Sequence, residues 1–509
     1  MLSTWRNRIS AAAAAACSLV GLSLLPLLAT PAQAACTTYY VSVSGSDSNS
    51  GCTTSAPWKT IAKVNATTFA AGNQILFQDG GGWTGELHPL GSGSSSGQIV
   101  ISSYGSGAAP VIAGGGAAAA IYLVNQQYWT IENLEITNTT TSAAVRSGIQ
   151  LQNNTSGILH GISIIHNNIN HVLGFWTSTA NDQPSTSSGI AFNLSDSFVT
   201  NGWDGVLIDR NSMSNDDAGG IYLGSLSGNG HDQNTTNVVI ENNTLTNMGG
   251  NDVVCIYCTG AVVQSNIASA SGSRYSGAGF WTAISTGGSW QYNEVTGQQR
   301  HGSDGQAFDL DHATTGITVQ YNYSHSDPWG FFEFCCTGSN GSVNPVVRYN
   351  ISQNDGASFA VLRLFGVNTS GTARFYNNTI YVSSSTNSAI TTNLPATRNL
   401  DLTNNIIYNA GSGGYASSST EVWNYNTFYG NHPSSEPADA HKLTSNPAFV
   451  NAGGAGSGRG SASVYELHAG SPDIGSGVLI AGNGGKDYFG NTVSSSAAPD
   501  RGAYGGAGV

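Results

Sequence analysis

Short apolar runs broken by Gly, Ser, Pro and Asn set the rhythm of this chain from residue 74 onward. QILFQ, IVISSY, PVIAGG and AIYLVN follow one another, and each predicts a strand bounded by turn residues. Further along, the pattern acquires a landmark: a few β-formers, one or two polar residues, an Asn, then an apolar residue. It recurs at Asn133, Asn168, Asn211, Asn243, Asn266, Asn293, Asn322, Asn350, Asn378, Asn405 and Asn426, with Asn193 a looser member. From Asn266 to Asn405 the spacings are 27, 29, 28, 28 and 27 residues, so the chain returns to one geometric position once per turn.

Units of this length built from short β-runs predict an all-β, single-stranded parallel β-helix, a β-solenoid. A helical repeat would need ten or more residues at 3.6 periodicity, and the β-branched, Gly, Ser and Asn content between the landmarks supplies none. Each Asn is a natural turn residue that tolerates the left-handed conformation. In a solenoid the same Asn can also bond its amide to the Asn above and below, leaving few buried groups unpaired.

The organisation follows. Residues 1–34 carry a basic start at Trp5-Arg6-Asn7-Arg8, a small apolar stretch from Ala11 to Ala29 and an Ala32-Gln33-Ala34 cleavage pattern, as in a secretory signal peptide. No later run approaches 18 apolar residues, so export without a membrane anchor is expected. Residues 35–73, with a short helix at Trp58–Val64, form an N-terminal cap. Coils run from 74 to 430, and 431–509 pack irregularly on the last coil and close it. Stretches at 137–148, 171–188 and 224–235 are candidate binding loops. Cys36 and Cys52 flank a Gly/Ser-rich loop that a disulfide could close, as an exported chain permits. A local Cys255–Cys258 link and a vicinal Cys335–Cys336 bond are expected, with buried free thiols as the plainer reading, because coils about 4.8 Å apart put Cys255 and Cys258 too far from Cys335 and Cys336 for cross-links or a zinc site.

Charge narrows the partners. Only 9% of residues are charged and the formal net charge is −13, which disfavours nucleic acid. Ten Trp and 21 Tyr suit neutral carbohydrate, and a monomer is expected.

Taken together, TYYVSVSGSDSNSG followed by APWKTI, the NN turns, NPAFV, GSPDIGSG and PDRGAY resemble the right-handed parallel β-helix proteins among bacterial secreted polysaccharide-active enzymes. The resemblance spans nearly the whole mature chain and implies the fold. It leaves the reaction open among lyases, glycoside hydrolases, epimerases and proteins without turnover.

Candidate chemistry concentrates in QRHGSDGQAFDLDHATTGITVQYNYSHSDPWGFFEFCC. Aligning Phe280, Phe308, Phe332 and Phe359 as core positions puts Asp309 and Glu333 outward on adjacent coils, with Asp311 two residues along on the same face. Paired carboxylates are the requirement for glycoside hydrolysis. Glu333, beside Phe332, Phe334 and Trp329, is expected to be the protonated acid, and Asp309 the nucleophile or base; Asp311 can exchange roles with Asp309. His301, His312, His325, Trp281, Trp329, Tyr323 and Arg363 are candidate sugar contacts. The spacing also resembles family 120 β-xylosidases, which implies Asp309 as nucleophile and Glu333 as acid/base. No cofactor is required; calcium on Asp304, Asp309 and Asp311 is the candidate ion.

Plainer readings compete: FDLDH as a solvated strand, the His residues as surface groups, Trp281 and Trp329 as core. A uronate lyase is the enzymatic alternative, and a noncatalytic carbohydrate-binding solenoid the other. Lys59, Lys63, Lys442 and Lys486 all fall outside the coils of the cluster, which disfavours a lysine-based lyase but leaves Arg300 or Arg363 for that role.

Overall fold

Backbone pairing answers the repeat directly. The computed structural model describes residues 36–509 apart from 143, 174–186, 226–230, 303, 336–340, 365–366, 368–369, 393–398 and 417. The expected signal peptide, the central parts of the loops at 171–188 and 224–235, and Cys336 lie outside the described residues. Three parallel sheets of 15, 13 and 10 strands run along the unit Thr37–Val509, here termed the long, middle and site sheets. Each coil visits the site, long and middle sheets in turn, for example Phe280–Ala283, Ser289–Gln291 and Glu294–Thr296. This is the right-handed parallel β-helix expected from the sequence.

Alternation along each strand builds the core. Phe280, Phe308 and Phe332 are in-register partners facing inward, and the Phe280 and Phe308 rings stack at 5.7 Å. Phe359 does not extend this row. Leu362 takes the position opposite Phe332, because the connection before that strand is longer than the Phe spacing implied, and Phe359 is left exposed.

At the corner between long and middle sheets the asparagines form a continuous ladder. Asn293 donates its backbone N–H and its Nδ2 to Asn322 Oδ1 at 2.9 and 3.1 Å, and Asn322 does the same to Asn350 at 2.9 and 3.0 Å. Each Nδ2 also reaches a carbonyl of the preceding coil, such as Trp290 O from Asn322 at 2.9 Å. The ladder runs from Asn167 to Asn426 and ends on Asp439, whose Oδ2 accepts from Asn426 N and Nδ2. Three expected members are corrected. Asn167, not Asn168, holds the rung in its coil; Asn133 is the left-handed residue before the corner, and Leu134 occupies the rung; Asn193 lies within a site-sheet strand. The left-handed residue is in general the one before the rung, as at Tyr292, Tyr321 and Tyr349.

A second corner, after the middle sheet, repeats this geometry with mixed side chains. Gln298 N donates to Asp327 Oδ1 at 2.6 Å, and Asp327 N to Asp355 Oδ1 at 2.9 Å. Ser324 Oγ lies 2.8 Å from Asp327 Oδ2 and 2.7 Å from Asp355 Oδ2. One hydroxyl proton cannot serve two carboxylates, so one of the two acids is protonated. Burial pushes Asp355 up to about 6, and burial with the neighbouring Asp355 charge raises Asp327 well above the carboxylate range.

The ends differ from expectation. Thr38–Val41 is already the first strand of the long sheet, paired with Gln74–Gln78, so the coils begin before residue 74. The short helix spans Ile61–Asn65 and packs Ile61 and Val64 into the core. Beyond Asp439 the chain does more than close the last coil. It runs back along the outer faces of the middle and long sheets, with contacts from Asn404 to Val478, Arg348 to Gly482, Tyr321 to Lys486 and Gly458 to Glu294. Cys255 and Cys258 form the expected local disulfide.

Two stability tests follow from the corners. Asn322→Ala strips the acceptor from both Asn293 donors and should cost about 2–4 kcal/mol in urea unfolding; a loss under about 0.5 kcal/mol would show that the ladder is incidental. For the acid pair, a raised folded-state pKa favours the protonated native state. Its stabilisation is full below the unfolded carboxyl value of about 3.9 and is lost as pH rises through about 6. Asp327→Asn should therefore flatten the fall of Tm between about pH 4 and 7, and a variant with the wild-type slope would contradict the shared proton.

Candidate functional site

Strand register brings the outward row of the site sheet together. Trp281 pairs with Asp309, Asp309 with Glu333, and Glu333 with Arg363, on four successive coils. Their backbones are therefore about 4.8 Å apart, and the side chains point away from the phenylalanine core. Asp311 stands two residues beyond Asp309. One carboxylate oxygen each from Asp309 and Asp311 and the Cys335 sulfur lie within 4.8 Å of one another.

Connections from the middle sheet rise over this row. The one between Thr296 and Phe308 carries Arg300, His301 and Asp304; the next carries Trp329; the third carries Phe359. Ser276 Oγ accepts from Asp304 N at 3.1 Å and donates to Asp304 Oδ2 at 3.4 Å. His301 is exposed and bridges to Asp304 through backbone pairing. Trp329 stacks on Phe359 at 4.4 Å and carries the Arg300 guanidinium 3.9 Å from its centroid. Groups that close to one ring centroid occupy opposite faces, so a sugar would meet the Trp329 edge rather than a free face.

Electrostatics divide the four carboxylates. Arg363 Nη1 lies 2.6 Å from Glu333 Oε2 and 3.8 Å from Asp304 Oδ1. Glu333 is only 1% exposed and Asp309 7%, whereas the side chains of Asp304 and Asp311 are 24% and 21% exposed. The Arg363 guanidinium 2.6 Å from Glu333 favours the ionised form and so opposes the expectation of Glu333 as a desolvated, protonated acid. The aromatics around it do exclude water, but the guanidinium on the next coil, hidden from the pairwise reading of the sequence, supplies the opposite charge. Asp311 Oδ1 accepts from its neighbour's backbone, His312 N, at 2.6 Å, and His312 Nδ1 lies 3.0 Å away.

Two expected sugar contacts fall elsewhere. Tyr323 and His325 are on the middle sheet, buried beneath the returning C-terminal segment, where His325 Nε2 meets Glu294 Oε1 at 3.2 Å. Their nearness in sequence to Glu333 hid a change of sheet. Trp281 lies in the outward row but is buried, with Nε1 donating to Asn251 Oδ1 at 2.8 Å, and forms part of the floor. Asp304, expected only as a calcium ligand, is the more open acid, with a side chain 24% exposed, and its signal is the same dense QRHGSDG stretch. Asp309, Asp311 and Cys335 are close enough to hold a metal ion, and the soft Cys335 sulfur among them is not a ligand that calcium favours.

Comparison with known proteins accords with this architecture. No family model matches the chain. It is 27% identical, over 529 aligned positions, to a lacto-N-biosidase of Bifidobacterium longum subsp. longum; the alignment covers 83% of this chain but 32% of that protein, so the chain spans about a third of the curated relative. Among solved structures, the GH136 lacto-N-biosidase from Eubacterium ramulus superposes with a TM-score of 0.60 at 22% identity, over 76% of this chain and 67% of that one. The complex of XylC with xylose gives 0.54 at 11% identity, over 92% and 98%. Both solved structures share the β-helix fold described above.

Proposed function

We propose that this protein is an exported glycoside hydrolase that cleaves an oligosaccharide with carboxylates on the outward face of the site sheet. The observation that carries the reading is the gathering of acids on one sheet face: Asp304 and Glu333 flank the Arg363 guanidinium, and Asp309, grouped with Asp311, is in register with Glu333. The 27% identical relative, named a lacto-N-biosidase, supports the same reaction class. Among the described residues no helix is long and apolar enough to cross a membrane. The leader-like first 34 residues support export.

Substrate has to reach the reacting groups, which favours the open pair Asp304 and Asp311 over the buried Asp309 and Glu333. Asp311, accepting from His312, is the ionised member that delivers the nucleophile, itself or as an activated water. Asp304 is the acid. Its proton passes to the glycosidic oxygen as the C1–O bond breaks, and water supplies hydroxyl to C1 and restores the proton. Asp309, in register between Trp281 and Glu333, is a buried part of the floor. The roles that the family 120 resemblance implies for Asp309 and Glu333 are thus not adopted; paired-carboxylate hydrolysis is assigned to the more open acids.

A uronate lyase fits less well. Arg363 is engaged by Glu333, and Arg300 lies on Trp329, which leaves neither as a ready base for an acidic sugar. Four carboxylates also repel a uronate.

Sugar release from an oligosaccharide panel, including a p-nitrophenyl lacto-N-bioside, tests the reading. Asp304→Asn and Asp311→Asn should each lower kcat by roughly 10³-fold or more on unactivated substrate, while Glu333→Gln and Asp309→Asn lose roughly 10- to 100-fold. Wild-type turnover in both Asp304→Asn and Asp311→Asn would return the roles to Asp309 and Glu333. Unsaturated uronide products, absorbing in the ultraviolet, would replace the hydrolase by a lyase.

A further inference from the structure

Asp304 differs from the other acids in what holds it. Asp309 lies on a strand pinned by both neighbouring coils, and Asp311 follows at its end, its N–H bonded to Thr282 O at 2.9 Å. Asp304 sits on a connection outside the ladders, and an acid must meet a leaving oxygen within a few tenths of an ångström. Behind it stands a layered assembly. Glu333 and Arg363 are in register on adjacent coils and joined at 2.6 Å, with the Arg363 side chain 12% exposed. The Arg363 guanidinium is 5.3 Å from the Phe359 ring and 5.8 Å from Trp329. Trp329 in turn carries Arg300, four residues before Asp304, and a Cβ on Gly305 would come 3.0 Å from Trp329 Cβ, so the connection lies directly on the aromatic pair.

We propose that Glu333 and Arg363 form a buried brace that positions the Asp304 carboxyl group, Arg363 acting as a positioning residue rather than a sugar contact. The inference rests on the hydrolase reading above and adds to it the reason why a carboxylate as enclosed as Glu333 lies next to the reacting groups. Glu333 fixes the guanidinium from the strand side. Arg363 then presents Nη1 toward Asp304 Oδ1, Ser276 holds Oδ2, and the Trp329–Phe359 stack keeps the guanidinium plane from turning.

The test uses the double variant Glu333→Gln/Arg363→Met, which leaves no buried charge alone, beside Arg363→Lys. Proton donation matters for a poor leaving group and little for nitrophenolate. The double variant should therefore lose roughly 10²-fold in kcat on an unactivated oligosaccharide and under about 3-fold on the matching p-nitrophenyl glycoside, with KM within about 3-fold for both. Amide exchange, followed by mass spectrometry in peptides covering Arg300 to Asp304, should accelerate, and Arg363→Lys should recover part of both effects. Equal loss on the two substrates with unchanged exchange would reduce the pair to a structural element and overturn the proposal. A rise in KM with kcat unchanged would overturn it too, by making Arg363 a substrate contact. If the wild type hydrolyses neither substrate class, the hydrolase reading fails by itself. The exchange measurement then decides the brace: faster exchange supports it and wild-type exchange removes it.

Discussion

A parallel coil that turns a corner leaves backbone N–H groups there that its own sheets cannot satisfy, and every successive coil repeats the problem at the same place. Here the amide side chain of the next coil answers it. One Asn Oδ1 takes two donors from the rung before, and one Nδ2 serves both the rung after and a carbonyl of the coil before. The bonds are buried, where a missing partner costs more than a made bond gains. Each rung is therefore conditional on its neighbours, and the spacing of successive coils is set by side-chain chemistry as well as by strand pairing. Asp439 ends the series with a carboxylate that accepts what a further Asn would have accepted.

The site inherits that constraint. Because coils cannot slip relative to one another, Trp281, Asp309, Glu333 and Arg363 stand in one straight row although long stretches of chain separate them. Charges placed on such a row meet their neighbours on the coils above and below as reliably as residues four apart meet on a helix. The row itself is largely sealed, and chemistry in contact with solvent falls to groups at its margin and on the connections above it. Rigid strand and adjustable connection thus divide the work: one supplies a fixed electrostatic floor, the other brings an open acid to it.

The same logic explains which buried charges the fold tolerates. Glu333 has Arg363 at hydrogen-bonding distance, and Asp327 and Asp355 share a proton through Ser324. Both arrangements limit buried charge, the first by pairing and the second by protonating one acid and surrounding the other with hydrogen bonds. The returning C-terminal segment plays a comparable part for the middle sheet, where Glu294, His325 and Gln353 find partners beneath it.

Much of the scaffold was legible in the order of residues, because a period of one coil and an alternation of two are local properties that survive any tertiary arrangement. The rungs from Asn211 to Asn426, the strand runs after Gln74, the Cys255–Cys258 link and the outward placement of Asp309 and Glu333 all belong to that class. The misread positions share a different cause. Asn168 for Asn167 and Phe359 for Leu362 are register choices of one to three residues that only cross-coil hydrogen bonding settles. Tyr323 and His325 lie close to Glu333 in sequence yet on another sheet, since ten residues carry the chain past a corner. The second ladder leaves no repeated letter in the sequence because Gln, Asp and Ser can each fill its rungs. What composition and periodicity determined was the coil and the face on which acids gather. Which acid is open, which is paired with Arg363, and where the C-terminal segment returns were decided by contacts between residues 30 to 165 positions apart, whose energies depend on burial and distance and leave no mark on local pattern.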